Sequence, residues 1–307
     1  MRFPAAVAAA LVLAALPLPA AQAAGCVWTA SGMPTHPHVR NERVTGISPD
    51  GSISVGHAIN VDFNVLNGIL WFGTTPSAMA EVLSGPGVDN VPFDVTDSGV
   101  VAGYAYDNNT DTSAAYRYHV QDGTYEWLQA PHHNGAASYI NERGDVAGWL
   151  HEGNDGVTVV WPAGSTQPVV IGPGTPVGLD EAGRVVTTKG QIWSPDGKSV
   201  RIKDTRGARP WAFAGDHVVG SVGGDLIEWN LQGKVTRVID GGAGSIEAVN
   251  ATGLIVASHE IGDGHPNWAI WDENGPQDLR GAYIAGITDS GVAYGENGSG
   301  GATFRCV

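Results

Sequence analysis

One short pattern occurs seven times along this chain, and no other feature limits its architecture as much. Each copy has an apolar residue, a short polar stretch, a glycine four positions on, and a β-prone run. The copies are ISPDGSISVG from Ile47, VTDSGVVAG from Val95, INERGDVAG from Ile140, LDEAGRVVT from Leu179, FAGDHVVG from Phe213, VNATGLIVA from Val249 and ITDSGVAYG from Ile287. The Phe213 copy is one residue short and lacks the turn glycine. Asp or Asn ahead of Gly lets the chain reverse, because glycine takes a positive φ without steric cost. Behind each hairpin comes an apolar strand with an aromatic residue: Trp71, Tyr118, Trp161, Trp193, Trp229, Trp271 and Phe304. A further short β run closes most units, so each unit supplies four strands. Successive copies are 48, 45, 39, 34, 36 and 38 residues apart. Seven four-stranded units of that length predict an all-β protein, a seven-bladed β-propeller. The aromatic series is read as blade-to-blade packing.

The two ends fit this ring. The last unit stops at GATFRCV with no fourth strand, and the N-terminal run GCVWTASG has no hairpin of its own. The simplest closure lends that N-terminal strand to the last blade. Cys26 and Cys306 then lie on adjacent strands, where a disulfide is expected. In a chain-entropy account such a bridge, closing nearly the whole chain, contributes about 4–5 kcal/mol.

Residues 1–24 read as a signal peptide: Arg2, an apolar run from Ala5 to about Leu18, then AQAA, with cleavage after Ala23 or Ala24. The run is too short to span a bilayer. Residues 25–307 are then a single propeller domain, secreted or periplasmic. A lipid anchor on Cys26 is the alternative, since AAGC has small residues, although Ala23 stands where a bulky aliphatic is usual. The chain carries 16 Lys+Arg against 31 Asp+Glu, a formal charge of −15. That balance argues against nucleic acid or an anionic membrane as partner.

The repeated pattern of Ile/Val, Asn/Thr-Asp, Gly and Val-Gly, followed by Trp and Gly, resembles the HAF-type extracellular repeat proteins of bacteria. The resemblance covers about residues 45–306. The HAF tripeptide itself is absent, and SAAYRY and NWAIW are its nearest echoes. What the resemblance implies is a propeller and an extracellular location rather than an activity.

No nucleophile elbow, HExxH, phosphate loop or CxxC pair is present. The second-to-third-strand loops and the connections between blades open on one face, called the top, and most histidines map there. His36 and His38 precede the first inner strand, and His132 and His133 fall in a blade connection; His57, His151, His259 and His265 fall in or beside second-to-third-strand loops. His119 falls on an aromatic strand and His217 in a hairpin turn. The top also collects Arg206, Arg209 and Trp211. Loops on a rigid scaffold carry binding residues, so His36, His38, His132, His133, Arg206, Arg209 and Trp211 are the candidate lining of a ligand site at the channel mouth. Arg suits carboxylate or phosphate and Trp211 suits a sugar ring. No cofactor is expected. Weaker signals are a Zn²⁺ held by the histidines and a Ca²⁺-type loop at Asp107, Asn109 and Asp111. The expected role is non-catalytic binding, as a monomer, of a glycan, a small anionic ligand or an envelope protein. The alternative is a lyase or hydrolase that uses top-face histidines on an extracellular polysaccharide or small molecule.

Overall fold

A computed structural model describes residues 27–73, 75–79, 87–130, 134–151, 156–203, 207, 209–239, 243–260 and 266–307. These residues form seven four-stranded antiparallel sheets and no helix. Each innermost strand touches the innermost strand of the next blade, and the seventh touches the first, so the ring is closed. The protein is a seven-bladed β-propeller.

Innermost strands, in order, are Val39–Ile47, Val88–Val95, Gly135–Ile140, Pro176–Leu179, Arg209–Ala214, Ala243–Val249 and Ala282–Ile287. Six end on the apolar residue that opens a copy of the motif and the fifth ends one residue past it, at Ala214, so the motif is the turn between a blade's first two strands. Six turn glycines, Gly51, Gly99, Gly144, Gly183, Gly253 and Gly291, have φ between 76° and 85°. The Phe213 copy does have a turn glycine, contrary to the sequence reading. Gly215 sits at φ 56° and Ala214 pairs directly with His217, a tighter two-residue turn that explains the missing position.

The polar residue after the motif's first position closes its own hairpin. Oxygens of Ser48, Thr96, Asn141, Asp180, Asn250 and Thr288 accept the backbone N–H of Ile53, Val100, Asp145, Arg184, Leu254 and Val292 at 2.7–3.1 Å. All six side chains are buried, and burial is tolerable because the bond is made. The next residue reaches across to a neighbour. Asp97 accepts the N–H of Asp50 at 2.8 Å, Glu142 that of Asp97 at 2.9 Å, Glu181 that of Glu142 at 3.2 Å, and Asp289 that of Ala251 at 2.7 Å. Asn141 and Asn250 add amide donations to the carbonyls of Asp180 and Thr288 in the following blades.

Apolar packing follows the same logic. Seven clusters of buried residues lie one at each seam between blades. Each repeat aromatic packs at the seam with the preceding blade. Trp71, Trp161, Trp229 and Trp271 are at most 1% exposed, so they are core and not ligand contacts. The glycine that ends the motif makes room for them. A Cβ on Gly56, Gly148 or Gly220 would lie 1.9–2.1 Å from a carbonyl of the innermost strand and 2.8–3.0 Å from the Trp ring of the third strand.

Trp28–Gly32 completes the last blade, in the order expected from the sequence. Trp28 faces Cys306 in the ladder, and Val27 and Val307 exchange both backbone hydrogen bonds. The Trp28 indole also donates to Gln277 of the sixth blade at 3.0 Å. Cys26 lies outside the described residues, as does the whole signal-peptide reading.

Two outcomes are expected. Asn250→Ala leaves the buried N–H of Leu254 without its acceptor and removes one of the two donors to the Thr288 C=O, which keeps the Gly291 N–H, and should lower unfolding free energy by about 2 kcal/mol in chemical denaturation. Intact mass of the protein should rise by two hydrogens on reduction if Cys26 and Cys306 are bridged; a mass carrying a diacylglycerol would rule the bridge out.

Candidate functional site

Every innermost strand carries a β-bulge two residues before its motif's apolar position, and those of blades 1 and 6 have a second register shift nearer their start. The bulged residues are Thr45, Phe93, Ser138, Val177, Trp211, Glu247 and Ala285. A bulge leaves one residue outside the ladder and re-aims its side chain. Here the backbone device is sevenfold while the side chains differ from blade to blade.

Three of them on successive blades, Val177, Trp211 and Glu247, line a cavity of about 450 Å³ with Tyr139, Thr175, Thr188, Ser221 and Ser245. Thr175 precedes the innermost strand of blade 4 and Thr188 follows its second strand, so the cavity opens at the top, away from the hairpin turns. A second cavity of about 210 Å³ extends towards the hairpin end, past Asp94, Tyr294, Thr288 and Asp289. Tyr139, Val177 and Glu247 line both, so the two are parts of one channel. Trp211 is 45% exposed. No Lys or Arg lines the upper cavity among the described residues.

Two acids in this channel, Glu247 and Asp94, are harder to ionise than usual. Burial raises the Glu247 pKa, opposed by the Arg43 charge and a hydrogen bond with Tyr283. Arg43 lies over the Tyr283 ring at 4.5 Å and pairs with Glu296 at 2.7 Å, so blades 1, 6 and 7 meet around that phenol. Burial likewise pushes Asp94 up to about 6, although it accepts the N–H groups of Val95 and Ile140, both at 2.9 Å. The carboxylates of Glu142 and Glu181 add to that rise. Burial, then the nearby Asp94 charge, raises the Tyr139 and Tyr294 hydroxyls. His57 moves the other way, to about 4, through burial and then the Arg43 charge, and is neutral at pH 7.

Of the residues expected from the sequence, Trp211 lines the upper cavity. Arg209, two residues earlier, is exposed and does not line it. His36 is half-buried, with Nδ1 lacking a partner among the described residues. His38 is exposed at φ 77°, and its carbonyl accepts the N–H of Val61 at 3.0 Å, which ties the connection into blade 1 to that blade's second-to-third-strand loop. Neither histidine lines the Trp211 cavity. His132, His133, Arg206 and His265 lie outside the described residues. His57 is a correction: it sits inside strand Ile53–Asn60, paired with Gly68, and not beside a loop. His217 and His259 are bonded to Glu228 and Asp278. In the Asp107 loop, Asp107 accepts the N–H of Asn109 at 2.8 Å and Asp111 accepts the Tyr106 hydroxyl, so both acids serve the turn. No group of three or more His, Cys, Asp or Glu suited to a metal occurs among the described residues. Glu247, Tyr283 and Asp94 escaped the sequence reading. Counting back two positions from each motif's apolar residue would have found Glu247 beside Trp211.

No protein-family model and no curated protein matches the chain. Solved structures do. An oligogalacturonate lyase in complex with manganese aligns with a TM-score of 0.60 at 12% identity, over 93% of this chain and 94% of that one. U3-55K aligns at 0.59 and 12%, over 91% and 98%. The β-propeller domain of the Trilobed protease from Pyrococcus furiosus aligns at 0.54 and 12%, over 78% and 83%. At these identities the likeness is one of fold.

Asp94 and His57 give opposing pH dependences. The folded Asp94 pKa of about 6 lies above its ordinary 3.8, so its contribution to stability is complete below 3.8 and is lost as pH rises through about 6. The folded His57 pKa of about 4 lies below its ordinary 6.5, so its contribution is present above 6.5 and is lost as pH falls through about 4. Carbon NMR of the Asp94 carboxyl should therefore show a midpoint near 6, and a midpoint near that of an exposed aspartate would contradict the burial argument. Asp94→Asn should remove the loss of stability on the rising side of that window.

Proposed function

We propose that the protein is an exported, non-catalytic β-propeller that binds a glycan in the top cavity beside its channel. The observation that carries this reading is the pairing of a half-exposed indole, Trp211, with the Glu247 carboxyl in a cavity edged by Thr175, Thr188, Ser221 and Ser245. An aromatic plane with hydroxyls and one carboxyl around it suits a polyhydroxylated ring. The lack of a lining cation among the described residues favours a neutral sugar over the small anionic ligand also expected from the sequence. The signal-like leader and the resemblance to HAF-type repeats support export to where such polymers occur.

A lyase or hydrolase is the second reading. Glu247, with its raised pKa and its hydrogen bond with Tyr283, is the observation that favours it, because a poised carboxyl beside a phenol is a usable acid–base pair. A hydrolase of the common type also needs a second carboxyl placed across the scissile bond.

Calorimetric titration with neutral oligosaccharides tests the proposal. Trp211→Ala should weaken binding about tenfold, equivalent to about 1.4 kcal/mol. Glu247→Gln should weaken it less, because the amide keeps one acceptor. New reducing ends or unsaturated products after long incubation would replace binding with catalysis.

A further inference from the structure

We infer that the rim of blade 2 carries a second carbohydrate subsite, built on Trp127 and separate from the Trp211 cavity. Trp127 ends the outermost strand, Thr124–Trp127, and is 40% exposed, unlike the seam tryptophans. Its exposure is not that of a loose side chain. The ring stacks on Tyr125, with centroids 5.7 Å apart and an interplanar angle of 14°, and stands edge-on to Tyr116 at 6.2 Å. Asn90 fixes that base: its amide donates to the Tyr125 hydroxyl at 3.0 Å, and its carbonyl accepts the hydroxyl of the fully buried Tyr116 at 2.6 Å. An aromatic face held in one orientation before a ligand arrives loses little entropy on binding.

A groove of about 310 Å³ runs beside it, with Ala105 and Ala114 as small wall residues and Asp107, Thr112 and Ser113 as polar ones. Ala105 and Ala114 add little bulk to the groove that the indole lines. Asp107, Thr112 and Ser113 already bond the Asn109 N–H, the Thr110 hydroxyl and the Gly135 N–H, and each keeps spare acceptor capacity that a sugar hydroxyl can use. No Lys or Arg lines the groove among the described residues, so the chemistry fits a neutral sugar and not a uronate. Asp107 ends a second strand and Thr112 begins a third, so the groove lies at the top, the side on which the Trp211 cavity opens. Two subsites on one face can engage one polymer, and the second contact then forms at a high effective concentration.

Fluorine NMR of protein labelled with 5-fluorotryptophan tests this, with the Trp127 and Trp211 resonances assigned from Trp→Phe variants. The probes are cellohexaose, xylohexaose and chitohexaose. At least one should move the Trp127 resonance saturably. Trp127→Ala should weaken that sugar's affinity at least fivefold, Trp127→Phe should restore most of it, and Trp211→Ala should leave the Trp127 response in place. Thermal melts of each variant confirm folding. A Trp127 resonance unmoved by all three sugars overturns the inference, as does unchanged affinity in Trp127→Ala. If only the Trp211 resonance moves, the cavity proposal stands and this one fails; if only Trp127 moves, the reverse holds.

Discussion

Burial of one blade's aromatic side chain at the seam with the blade before it is the contact on which the rest of this ring depends. A four-stranded blade has two apolar faces and cannot hide either by itself. Truncating a buried tryptophan such as Trp161 removes roughly 3–5 kcal/mol, a large share of a domain's net stability. The contact also dictates sequence elsewhere. Gly56, Gly148 and Gly220 are small because the backbone of the innermost strand and the indole of the third strand meet over them. Seven such seams close on themselves, so no blade has an uncovered face.

Polar chemistry then sets how the packed blades register. The turn residues do two tasks. Buried Ser, Thr, Asn and Asp oxygens close six of the seven hairpins internally, and acids or asparagines of the same turns hold a neighbouring blade. Apolar packing alone is non-directional and tolerates sliding. Hydrogen bonds with fixed geometry do not, and the Asp97 and Asp289 turns are best understood as blade-to-blade fasteners. They surround the channel at the end opposite the Trp211 cavity. One of their consequences is electrostatic: the Glu142 and Glu181 carboxylates help to keep Asp94 protonated at higher pH than usual.

A frame this regular leaves room for variation at the bulge residues, although some of them still join blades: the Thr45 hydroxyl donates to the Pro92 carbonyl at 2.7 Å. Their backbone geometry recurs in all seven blades, yet Thr45, Val177 and Ala285 stand where other blades place Phe93, Trp211 and Glu247. Trp127 is a comparable case at the outer rim, where the sheet edge has no further strand to satisfy. Both tryptophans are exposed because no neighbouring blade covers them, which separates them from the aromatics at the seams.

Local periodicity determined most of the architecture. The spacing of glycine, aromatic and β-prone runs dictated seven four-stranded units, because turn and strand preferences act over a few residues and are written directly in the chain. The missing strand at the C-terminus likewise pointed to Trp28–Gly32 as its replacement. Trp211 could be placed near the channel mouth, since its position within the repeat is a matter of counting. Its partnership with Glu247, the Arg43–Tyr283–Glu247 contact and the setting of the half-buried Asp94 were decided only by the tertiary structure. These groups lie in different blades, tens of residues apart in the chain, and the curvature of the closed ring is what sets their distances. The same holds for His57, which the repeat pattern placed by a loop and which burial inside a strand makes neutral.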